Sequence, residues 1–86
     1  MPRRKQPTPL LAAVGARVRA ARIKNGWGLK YISTMTGVSH GQLSDIENGR
    51  VNLTIETLAR VARALEVPMA ELVAVDLATV LTKGAA

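Results

Sequence analysis

Residues 39–49, SHGQLSDIENG, concentrate short polar side chains that donate and accept hydrogen bonds without steric bulk. Ser39 is a good helix N-cap, Asn48-Gly49 is a stop signal, and Leu43 and Ile46 form an apolar stripe between them. His40, Gly41, Gln42, Ser44 and Asp45 are left on the outer side of that short helix. Side chains of this size suit hydrogen bonding to base edges in a DNA groove. Catalytic material is scarce: the chain has one His, no Cys, no Gly-rich phosphate loop and no carboxylate pair in a plausible cleft. No catalytic residue, no metal site, no cofactor and no small-molecule effector is therefore expected, and the chain does not read as an enzyme.

Charge supports a polyanionic partner through its distribution more than its total. The net charge is +6. Residues 1–44 carry eight cations (Arg3, Arg4, Lys5, Arg17, Arg19, Arg22, Lys24, Lys30) and no acid. Residues 45–86 hold six acids against the four cations Arg50, Arg60, Arg63 and Lys83, a net of −2. One half thus suits nucleic acid, and the other suits different work.

Elements that position the polar run follow from periodicity and punctuation. Residues 1–9, with three cations and three prolines, read as an extended basic arm. From Leu10, Leu11, Val14, Val18 and Ala21 recur at helical spacing until Asn25-Gly26. A second helix over about 29–35 carries Leu29, Ile32 and Met35 on one face, and the turn Thr36-Gly37-Val38 joins it steeply to the third. Thr54 caps a fourth helix with Ile55, Leu58, Val61, Ala62 and Leu65 facing inward. Pro68 opens a fifth carrying Met69, Leu72 and Val73, with apolar positions continuing through Leu77, Val80 and Leu81. The expected architecture is all-α: a five-helix bundle over residues 10–75 and a helical extension over residues 76–86. With 86 residues there is one core. No run of about 18 apolar residues suits a bilayer, and the basic start leads into Pro7 and Pro9, so a cytoplasmic protein is expected.

The positions of Gly26, Ile32, Gly37-Val38-Ser39, Leu43, Ile46-Glu47-Asn48-Gly49, Thr57-Leu58, Ala62, Ala64-Leu65 and Val67 together resemble the lambda-repressor and Cro family, the Cro/C1-type helix-turn-helix domains. The likeness covers residues 14–73. It implies a transcriptional regulator, most readily a repressor, binding a palindromic double-stranded DNA operator as a homodimer. It implies base contacts from Ser39, His40, Gly41, Gln42, Ser44 and Asp45, and phosphate contacts from Asn48 and Arg50. Arg22 and Glu47 match positions that form a salt bridge fixing the third helix to the body. Where the family often has Gln, this chain has Leu29, so phosphate at the second helix must rely on backbone N–H groups and Lys30.

Several residues keep two readings. Asp45 either accepts from a cytosine amino group or holds a neighbouring side chain. His40 either touches a base or is simply exposed. Gly41 either admits close DNA approach or marks a tolerant position. Trp27 reads as packing rather than base stacking. Arg3, Arg4 and Lys5 either follow the DNA or remain uncontacted. The stripe Val73, Leu77, Val80 and Leu81 either pairs with a second copy or folds back on its own core. An antitoxin that grips a protein through this stripe is the alternative function. An RNA-binding or adaptor use is less favoured by the scarcity of aromatics.

Overall fold

Caps set the helix boundaries in the computed structural model, which describes the backbone of residues 7–85 and the side chains of residues 7–81. Thr8 accepts a hydrogen bond from the Leu11 amide at 3.1 Å and starts α1 (Pro9–Lys24), one residue before the expected Leu10 because proline is well suited to a first helical position. Helix α2 (Leu29–Thr36) ends at Gly37, whose φ of 77° is the left-handed conformation its turn requires. Ser39 caps α3 (His40–Glu47), and Thr54 caps α4 (Ile55–Leu65) by accepting from the Thr57 amide at 3.0 Å. The five-helix bundle closes with the single turn α5 (Met69–Leu72). No strand occurs among the described residues.

The apolar run after α5 does not continue that helix. Asp76 accepts from the Ala78 amide at 3.1 Å and from the Thr79 hydroxyl at 3.0 Å, starting a separate α6 (Leu77–Ala85). Helix α6 packs back on α1, which also contacts α3, α4 and α5. Helix α2 packs on α3 and α4.

Val18, Ile32, Leu43, Ile46, Val61, Leu65 and Leu72 are the largest fully buried side chains, so every helix from α1 to α5 anchors at least one of them. Two expected inward residues are not inside: Ile55 is 72% exposed and Met35 57%. Both lie at the end of an apolar stripe, Met35 in the last turn of α2 and Ile55 at the first position of α4. Trp27 is half-buried against the core, with its ring centroid 5.1 Å from that of Tyr31.

One contact sets how closely α1 and α3 approach. A Cβ added at Gly15 would collide with the Ile46 carbonyl oxygen and stand 2.7 Å from that of Glu47. Gly49 is its counterpart, with φ of 72° and an added Cβ 2.6 Å from the Ala12 amide nitrogen. Only residues without a side chain permit this approach.

Candidate nucleic-acid interface

Helix α3 has eight residues, too few for stability alone, so its position must come from the body of the protein. Leu43 and Ile46, 1% and 2% exposed, anchor its inner side. Its C-terminal end is tied electrostatically: Arg22 on α1 donates from Nε to Glu47 Oε2 at 2.6 Å and from Nη2 to Oε1 at 2.9 Å. The same guanidinium donates from Nη1 to the Trp27 carbonyl at 3.0 Å, which includes the α1–α2 turn in the anchor. The hydrogen bond it donates to Glu47 holds the Arg22 pKa above its ordinary value, with burial opposing and charge attraction assisting. Arg22 therefore stays charged in any physiological medium.

With that inner side held, His40, Gly41 and Gln42 are exposed at the first turn of α3, and Ser39 is exposed at the cap. Ser39 Oγ accepts from the Gln42 amide at 3.1 Å, leaving the Gln42 side chain outside the capping bond. Ser44 and Asp45 are half-buried, nearer the body than the sequence suggests. Asn48 is exposed, yet its Nδ2 donates to the Ser44 carbonyl at 2.8 Å, so part of that amide closes the helix end. Arg50 is half-buried in the loop, its backbone N–H on the Asp45 carbonyl at 2.8 Å. Lys30 is exposed in the first turn of α2. The structure thus brings the α3 residues and Asn48 into one segment, with Arg50 in the following loop; Arg3, Arg4 and Lys5 lie outside the described residues.

Val73, Leu77 and Leu81 are 46%, 52% and 54% exposed, while Val80 is half-buried. The stripe is therefore divided: α6 folds back on α1, and two of its leucines remain uncovered. Sequence reasoning missed the Arg17 Nε to Glu71 carbonyl bond at 2.5 Å and the Asn25 Nδ2 to Leu65 carbonyl bond at 3.3 Å. Both join segments distant in sequence and leave no local signal. It also missed Gly15, for which a glycine inside an apolar helical stripe was the available sign. Among the described residues no cluster of side chains could hold a metal ion, and no helix is long and apolar enough to cross a membrane.

Comparison with known proteins gives a consistent pattern. A family model described as helix-turn-helix, HTH_3, matches residues 18–72. The transcriptional regulator ClgR of Mycobacterium tuberculosis is 39% identical over 56 residues, covering 65% of this chain and 50% of the relative. The chain therefore aligns with only half of that curated relative. The solved clp gene regulator ClgR of Corynebacterium glutamicum is 32% identical with a TM-score of 0.76, covering 88% of this chain and 81% of that one. The biofilm regulator SinR, solved in complex with DNA, is 32% identical with a TM-score of 0.64, covering 69% and 95%.

Proposed function

The chain belongs to the HTH_3 helix-turn-helix family, and we propose on that premise that it is a transcriptional regulator that reads double-stranded operator DNA with α3. The observation that carries this reading is the construction of α3: an inner side fixed by Leu43, Ile46 and the Arg22–Glu47 fork, and an outer first turn bearing exposed His40, Gly41 and Gln42. A preorganised helix with short polar side chains fits a major groove about 12 Å wide. The regulators named among its relatives, one of them solved on DNA, support the same reading.

In this assignment Ser39, His40, Gly41, Gln42, Ser44 and Asp45 approach base edges. Lys30, Asn48 and Arg50, joined by Arg3, Arg4 and Lys5 of the N-terminal arm, neutralise phosphate. Residues 10–75 are the DNA-binding unit. Residues 76–86 with Val73 pair two copies, so that the operator is a palindrome and the regulator a homodimer. It acts in the cytoplasm as a repressor, by occupancy, without enzymatic activity or cofactor.

Footprinting of the purified protein on the DNA upstream of its own gene tests this. Two protected half-sites about one helical turn apart are expected. Equal affinity for operator and random duplex, with no footprint, would overturn it.

A further inference from the structure

We propose that the furrow between the C-terminal turn of α2 and the outer side of α4 docks an acidic amphipathic helix of another protein. Met35, Thr36, Arg60, Arg63 and Ala64 line it. Met35 is 57% exposed, and Tyr31, one turn earlier on the same side of α2, is 44% exposed. Helices α2 and α4 pack directly on each other, so the floor is firm. Thr36 Oγ1 is already engaged, donating to the Ile32 carbonyl at 2.8 Å and accepting from the Val38 amide at 3.0 Å. The free chemistry of the furrow is therefore apolar at Met35 and cationic at its α4 wall.

Arg60 and Arg63 are exposed and form no ion pair among the described residues, although Glu56 and Glu66 lie one turn away on either side. Charge complementarity selects the occupant. A phosphate backbone would satisfy the arginines but leave Met35 and Tyr31 against water. A second copy related by a two-fold axis through the furrow would set Arg60 and Arg63 against their own equivalents, which repel. A helix with apolar anchors one turn apart and carboxylates beside them satisfies both sets. None of the α3 residues proposed to touch bases, and none of the α6 stripe, lines the furrow. The proposal therefore has the partner held while the protein is on DNA.

The probe is a synthetic helix of about 16 residues with Leu at i and i+4 and flanking Glu, titrated into the isotopically labelled full chain. Saturable amide shifts confined to the end of α2 and to α4 are expected, and they should persist with a bound operator duplex. Arg60→Gln combined with Arg63→Gln should weaken the peptide about tenfold, the loss that two exposed ion pairs represent. Met35→Ser should also weaken it, with helical circular dichroism and operator affinity unchanged for each variant. Absence of saturation, equal binding of a control peptide with Gln for Glu, shifts centred on α3, or displacement by the duplex would each overturn the proposal.

Discussion

In the proposed function Gln42 and Arg50 would separate the two parts of DNA binding, because one is neutral and exposed on α3 whereas the other is a cation in the loop beyond it. Gln42→Ala is expected to cost about 1–3 kcal/mol on the operator and little on random duplex, the signature of a lost base contact. Arg50→Ala should weaken both and lower the slope of log affinity against log salt by about one. Titrations on the two duplexes at several salt concentrations distinguish them, and equal weakening by Gln42→Ala would remove that residue from base reading. The Arg22–Glu47 pair makes a different demand, since each partner stranded alone is a poorly hydrated charge. Arg22→Ala should therefore destabilise the fold by about 3 kcal/mol in urea unfolding. The pH dependence follows from the direction of the Arg22 shift. A folded pKa raised by the Glu47 hydrogen bond gives stability that is complete below the unfolded arginine value and lost only as pH climbs through the folded one. Between about pH 7 and 9 this cation should add no slope to stability. A steep fall there that Arg22→Ala abolishes would contradict the assignment.

At the scale of elements, two glycine exchanges should act in opposite directions. Gly15→Ala places a methyl against the Ile46 and Glu47 carbonyls, backbone atoms that cannot turn aside, so a loss of about 1–3 kcal/mol is expected. Glu66 ends α4 at φ 60°, where a side chain crowds its own backbone, and Glu66→Gly should gain about 1 kcal/mol. Thermal unfolding of both variants checks the pair of signs. The contrast also shows what the sequence made legible. Ser39, Thr54 and Gly37 act within one turn of chain, so their helix boundaries could be read locally. The positions of Leu43 and Ile46 followed from period alone. Met35 and Ile55 were misplaced because burial at a helix end depends on what lies beneath, which period does not report. Residues 76–86 were expected as a helical extension, but that Asp76 caps it as a helix separate from α5 was not read, although a short polar residue before an apolar run is a capping signal. For Gly15, a glycine within the α1 stripe was the visible sign, but the reason for it, α3 crossing α1, is a relation that no local window reports.

At the scale of the whole molecule, a single recognition helix meets too few base pairs to be selective, which is why the proposed function pairs two chains across a palindrome. Leu77 and Leu81 lie one turn apart on α6 and remain about half exposed, while α6 itself is held against α1. That arrangement presents an apolar strip on a supported helix. A carboxylate placed in such a contact must lose water without gaining a partner. Leu81→Asp is therefore expected to sediment as a monomer at concentrations where the parent is a dimer. Its binding to the full operator should weaken and depend more steeply on protein concentration. Binding to an isolated half-site should stay unchanged, because α3 and its Arg22–Glu47 anchor do not involve Leu81. The half-site measurement distinguishes pairing from folding. If half-site affinity fell together with helical circular dichroism, α6 would be serving the stability of its own chain through α1. If sedimentation and operator binding were both unaffected, the strip would not be the surface on which two copies meet.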